Sequence, residues 1–143
     1  MLKIEHLSKT YQTGTNEYPV LKDLSFQVKK GEFVAVMGPS GSGKTTLLNC
    51  ISCFIPHDSG KIILGGKDIS GMSEKGLANV RNEKLGFVFQ DFMLLDGLTV
   101  YENICLPQVI AAKPAAQMEA KASKFCEAFG IGKIRDKYPA EIS

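Results

Sequence analysis

The chain has 143 residues, of which 44% are hydrophobic and 22% charged, and a formal net charge of +2. That is the length of one ordinary domain with a real hydrophobic core rather than two, and a composition unlike that of a disordered chain. The longest apolar runs fall far short of the roughly 18 residues that suggest a transmembrane helix, no charged-then-apolar leader precedes Leu2, and the scattered lysines argue against a nucleic-acid surface.

In chain order, Leu2, Ile4 and His6 alternate with polar neighbours, as do Leu24, Phe26 and Val28, so both stretches read as strands. Between them, Tyr11 to Pro19 is turn-forming, with Thr13, Gly14, Thr15 and Asn16 in succession. The run Phe33 to Met37 has no alternation and predicts a strand buried on both faces, as in a parallel sheet. A glycine-rich loop follows, and then a helical pattern from Thr45 to Ser52. Ile62 to Leu64 with Gly65-Gly66 predicts a short strand and a tight turn. Ser73 is a candidate N-cap for a short helix to Arg81, and Leu85 to Phe89 reads as a further strand. Thr99-x-x-Glu102 has the spacing of a capping box, which starts a helix at Val100. From Ala115 to Phe129 the pattern is helical, with Ala122, Phe125, Cys126 and Phe129 on one face, Met118 as core, and Gly130 suited to the C-terminal cap. Strands come first and helices later, within an α/β frame.

Four cysteines, Cys50, Cys53, Cys105 and Cys126, show no second close pair that would complete a zinc site. Cys50-x-x-Cys53 invites a redox reading, but its apolar helical flanks favour packing thiols in a reducing compartment. His6 and His57 fall near a strand end and a turn, with no partner carboxylate evident for either.

Gly38-Pro39-Ser40-Gly41-Ser42-Gly43-Lys44-Thr45 matches the Walker A pattern, preceded by an apolar run and followed by a helix as the motif requires. Its glycines let the backbone curl, so that successive N–H groups from about Gly41 to Thr46 converge on phosphate oxygens. The positive end of the following helix adds to that field. Lys44 would place an ammonium on the β- and γ-phosphates, and the Thr45 hydroxyl would ligate Mg²⁺. A guanine-reading Asn-Lys-x-Asp is absent, and Arg81 and Arg135 are the only arginines, which weakens the GTPase and phosphoryl-transfer kinase readings without eliminating them.

Together with Ser8-Lys9-Thr10-Tyr11, Ser59-Gly60-Lys61-Ile62, Gly66-Lys67-Asp68-Ile69 and Leu85-Gly86-Phe87-Val88-Phe89-Gln90, the loop makes the chain resemble the nucleotide-binding domain of an ABC transporter over its whole length. The resemblance implies an ABC-type P-loop NTPase with an N-terminal antiparallel β subdomain (residues 1–90, with the Walker A loop and Q-loop strand) and the start of a helical subdomain (residues 91–143). It implies that ATP and Mg²⁺ are the ligands, that Tyr11 stacks on adenine, and that Gly38, Ser40, Gly41, Ser42, Gly43, Lys44, Thr45 and Thr46 cradle the phosphates. Lys44 and Gln90 would be the catalytic contributions, with Thr45 and Gln90 toward the metal. The stretch Phe89 to Ile104 is similar to the macrolide and lipoprotein exporter group, and most of all to bacitracin-type peptide-resistance ATPases. Such ATPases act as dimers on the cytoplasmic face of a separate membrane permease, which makes Phe92, Met93, Leu94 and Leu95 candidates for either a permease-facing surface or core packing.

By the same resemblance, the family's signature Leu-Ser-Gly-Gly-Gln would begin at Ile142-Ser143, and the Walker B strand, D-loop and switch histidine have no counterpart in the chain. Asp91 makes a poor Walker B carboxylate, because Gln90 stands where its last apolar residue would be, and Glu102 reads as a helix cap. The expectation is therefore the N-terminal portion of a transporter ATPase, competent to bind nucleotide but not to hydrolyse it alone.

Overall fold

The computed structural model describes residues 1–89 and 91–142, so the expectations placed on Gln90 and Ser143 lie outside the described residues. The chain divides into two compact units, Met1–Leu85 and Gly86–Ser143.

The first unit is built on a four-stranded sheet of order β2-β1-β3-β4, every neighbouring pair antiparallel. β1 (Leu2–Thr13) and β2 (Asn16–Val28) form a long hairpin whose turn is Gly14-Thr15, with Gly14 at φ +62. β3 (Ser59–Leu64) pairs with the other edge of β1 and turns through Gly65-Gly66 into the two-residue β4 (Lys67–Asp68). Both turn glycines have positive φ, which suits the twist of a tight hairpin. One face of the sheet carries Ile4, Leu7 and Ile62 into a core with Leu47 and Cys50 of α1 (Lys44–Ile51), Ile69, and Val80 of α2 (Glu74–Lys84). Ser73 caps α2 by accepting a hydrogen bond from the Gly76 amide, as its sequence position predicts.

Simple alternation in β1 would send His6 inward after Leu2 and Ile4. Instead the register with β2 slips between Ile4 and Leu7, His6 and Asp23 both take positive φ, and Leu7 becomes the fully buried residue. The bulge inserts a residue, and the inward position moves by one.

The larger departure is at Phe33 to Met37, expected as a doubly buried strand. It joins no sheet, and Phe33 is 98% and Met37 88% exposed. A strand of that kind takes its hydrogen bonds from parallel neighbours, whereas the one sheet among the described residues is antiparallel and lies elsewhere in the chain. Leu85 to Phe89 likewise enters no strand. Leu85 caps α2, Val88 is fully exposed, and the Phe87 and Phe89 rings stack with centroids 5.9 Å apart.

In the second unit, α3 (Val100–Ile110) packs on α4 (Ala115–Ala128), and Val100 and Cys105 of the first helix and Ala122 and Cys126 of the second are buried. The small Ala122 and Cys126 side chains allow close approach of the two helices. Thr99 and Glu102 complete the capping box in both directions, and Gly130 takes positive φ just past α4, both as the sequence predicts. All four cysteines are free thiols, three of them buried, in keeping with the packing role.

Candidate functional site: a phosphate loop beside an aromatic strand

Residues 39–43 curl into the N-terminus of α1, with Gly41 at φ +78 and Gly43, its N-cap, at φ +88. Such backbone angles are open to glycine and strained for other residues, and they let consecutive amides face one side. Among the described residues no side chain caps α1 and no acid occupies its first turn, which leaves those amides available to an anion. Gly43 is also spatially obligatory, since a Cβ there would stand 2.9 Å from Val20 Cγ1 and 3.2 Å from the Val20 carbonyl oxygen. At Gly38 a Cβ would meet Ser42 Oγ at 2.8 Å.

Lys44 folds back over the loop. Its ammonium donates to the carbonyl oxygens of Gly38 (2.9 Å) and Pro39 (2.7 Å) and to Ser42 Oγ (3.4 Å), while the Ser42 amide donates to the Pro39 carbonyl. An incoming phosphate offers the ammonium a charged acceptor in place of neutral carbonyls. Charge-assisted hydrogen bonds are about twice as strong as neutral ones, so the exchange is favourable. Thr45 is exposed on the first turn, and Thr46 is half-buried beside it. The loop borders a cavity of about 380 Å³ shared with Val20, Leu21, Leu24 and Leu47.

β2 ties this loop to the aromatic residue singled out in the sequence. Val20 lies against Gly43, and Tyr18, two residues earlier, pairs in register with Tyr11 of β1. Tyr11 is partly exposed in a polar cleft with Lys9, Thr10, Gln12, Glu17 and Asp58. The structure thus brings the Walker A residues Gly38 to Thr46 into one loop and sets Tyr11 on the strand beside the one that touches it, while Gln90 is outside the described residues. Among the described residues no group of three or more His, Cys, Asp or Glu could hold a metal ion. The residues present fit Mg²⁺ only as a companion of bound phosphates, with the Thr45 hydroxyl exposed on the first turn of α1.

A larger cavity, about 660 Å³, lies between the end of α1, β3 and α2, where Arg81 Nη1 donates to the Cys53 carbonyl at 2.7 Å. It lacks the run of positive-φ glycines ahead of a helix that marks the phosphate loop. Cys50 and Cys53 border it, but burial pushes both thiols up, which disfavours the thiolate that redox chemistry requires.

His6 departs from expectation in having a carboxylate partner, Asp23 Oδ1, 2.6 Å from its Nδ1. The paired positive-φ residues of the β1–β2 bulge create that contact on the surface. Sequence reading also missed Asn103, whose amide group accepts from Leu95 N and donates to the carbonyls of Leu95, Leu98 and Thr99, fixing the loop ahead of α3. Within that loop Phe92, Met93, Leu94 and Leu95 are all exposed, which sets aside core packing in this chain as their role.

Residues 21–143 match the family model described as ABC transporter. The chain is 46% identical over its full length to the ABC transporter ATP-binding protein YxdL of Bacillus subtilis, spanning 55% of that protein. It is 45% identical to the bacitracin export ATP-binding protein BceA of Halalkalibacterium halodurans, spanning 56% of it. Among solved structures, the ATP-binding cassette MJ0796, in a dimeric post-hydrolysis state bound to ADP and Pi, superposes with a TM-score of 0.89 at 32% identity. That alignment covers all of this chain and 63% of the cassette, so the chain spans little more than half the length of the relatives it matches. The glycine loop, the aromatic strand and the antiparallel sheet that joins them are those of a chain belonging to the ABC transporter family, with the fold of its ATP-binding cassettes.

Proposed function

We propose that the chain is the nucleotide-binding part of an ABC transporter ATPase, which binds Mg-ATP through the phosphate loop and stacks adenine on Tyr11. The carrying observation is the uncapped N-terminus of α1, entered through positive-φ glycines, with the Lys44 ammonium held at the loop by neutral acceptors. Backbone amides of the loop and first turn would take the phosphate oxygens, and Lys44 would exchange the Gly38 and Pro39 carbonyls for them. Thr45 and Gln90 are the proposed Mg²⁺ contacts, and Lys44 and Gln90 the proposed catalytic contributions of this segment. The metal, when bound, spreads charge off the β- and γ-phosphates.

Likeness to a bacitracin export protein supports a role in export or in resistance to antimicrobial peptides, through a separate permease on whose cytoplasmic side the ATPase would sit. The exposed Phe92 to Leu95 are the proposed permease-facing surface, and the dimeric cassettes support pairing with a second ATPase subunit. Among the described residues no helix is long and apolar enough to cross a membrane. Among the described residues that line the loop cavity there is no carboxylate or histidine to serve as general base, so the chain alone is expected to bind nucleotide and release no phosphate.

Titration with a fluorescent ATP analogue and Mg²⁺ tests this reading. Lys44→Ala is expected to weaken binding about ten- to a hundredfold, the worth of a charge-assisted contact. Equal affinity in the variant overturns the assigned site. Steady phosphate release by the chain alone overturns the claim that it lacks a base.

A further inference from the structure

Asp58 joins the loop after α1 to β1 at three points. Its main-chain amide donates to the Ser8 carbonyl (2.9 Å), its Oδ2 accepts from the Thr10 amide (2.6 Å), and its Oδ1 accepts from Lys9 Nζ (2.9 Å). Gly60 makes this approach possible, because its φ is +98 and a Cβ there would collide with the carbonyl oxygens of Glu5 and His6. Ser59 then pairs with Ser8 to begin β3. Held in this way, the Lys9 side chain is only 13% exposed, and its ammonium stands 5.7 Å from the centre of the Tyr11 ring. That is within cation–π range. The Lys9 hydrogen bond, and then the Thr10 amide, hold the Asp58 carboxyl below its ordinary range, so it is ionised at neutral pH.

We propose that Asp58, acting through Lys9, is a positioning residue for nucleotide recognition: it anchors the ammonium over one face of Tyr11 and leaves the other face presented to a purine base. The inference rests on the nucleotide-binding reading above and names a residue outside both the phosphate loop and the aromatic strand. An untethered tyrosine on a surface strand samples several rotamers and loses that freedom when a base stacks on it. Fixing the Thr10 amide and the Lys9 ammonium to one carboxylate removes that freedom beforehand, so the gain appears only for ligands that carry a base.

The test compares two ligands on the full chain, Mg-ATP and Mg-tripolyphosphate, the second of which has the phosphates but no base. Asp58→Ala is expected to weaken ATP about tenfold, of the order of one aromatic–base stack, while tripolyphosphate affinity stays within about twofold. Lys9→Met should reproduce that split, and the double variant should add no further loss, because the two residues act as one device. Should Asp58→Ala lose both ligands through misfolding, Lys9→Met decides the matter alone. Equal losses for the two ligands in Lys9→Met, or unchanged ATP affinity in both variants, overturn the proposal. If the parent chain binds both ligands in a Lys44-dependent way, the phosphate-site reading stands whatever Asp58 does. If it binds neither, both fall together.

Discussion

Two glycines of the phosphate loop share a positive φ but not an environment. At Gly41 an added Cβ meets open space, whereas at Gly43 it runs into Val20 Cγ1 and the Val20 carbonyl oxygen. Gly41→Ala therefore costs only the backbone strain, about 1–2 kcal/mol. Gly43→Ala adds a contact of 2.9 Å to Val20 Cγ1 and a tight one of 3.2 Å to the Val20 carbonyl oxygen, and it is expected to cost about 1–3 kcal/mol more. Urea denaturation of the two variants checks the order, and equal losses would show that Val20 yields without cost. The glycine spacing and Lys44 were legible because the motif states its own chemistry. The His6–Asp23 contact was not, because a bulge that shifts register by one residue leaves no mark in a two-residue alternation.

Between helices, the informative group is Tyr101 of α3, Glu119 of α4 and Arg135 beyond them. Arg135 donates to both Glu119 oxygens (3.2 and 3.3 Å) and lies 4.5 Å from the centre of the Tyr101 ring, while Tyr101 N donates to the Arg135 carbonyl. Hydrogen bonds from the Tyr101 hydroxyl, then Arg135 and Ser123, lower the Glu119 carboxyl from 4.5 to about 2. A depressed folded-state value stabilises the fold above the unfolded value, and that contribution is lost as pH falls from about 4.5 through about 2. Thermal melts at pH 6 and pH 2.5 should therefore show a smaller drop for Glu119→Gln than for the parent chain. An identical drop in both would remove Glu119 from the acid response. The helix ends were readable from the capping box and Gly130, which are local signals. This cluster was not, since it joins positions 34 residues apart by tertiary contact alone (135 − 101).

At the scale of the molecule, elements that make their own hydrogen bonds matched the sequence pattern, and those needing distant partners did not. α1 to α4 and the β1–β2 and β3–β4 hairpins close locally, whereas Phe33 to Met37 carries a pattern whose pairing depends on parallel neighbours. It stands as an exposed apolar run of five, Phe33, Val34, Ala35, Val36 and Met37, bounded by Glu32 and Gly38. Such a run is a template for pairing with another copy. Charge selects the direction. A parallel in-register pair would set Lys29, Lys30 and Glu32 against themselves, while an antiparallel pair centred on Ala35 sets Val34 opposite Val36 and Glu32 opposite Gly38. The chain by itself is thus expected to self-associate as concentration rises, and more strongly in sulfate, which favours apolar burial. Sedimentation velocity should show the parent shifting to larger species, and Val34→Lys with Val36→Lys holding it monomeric. Leu48→Lys, which removes an equally exposed apolar side chain from α1, should leave the shift in place. A parent chain monomeric at all concentrations, or association that survives both lysines, would mean that the run is not the adhesive surface.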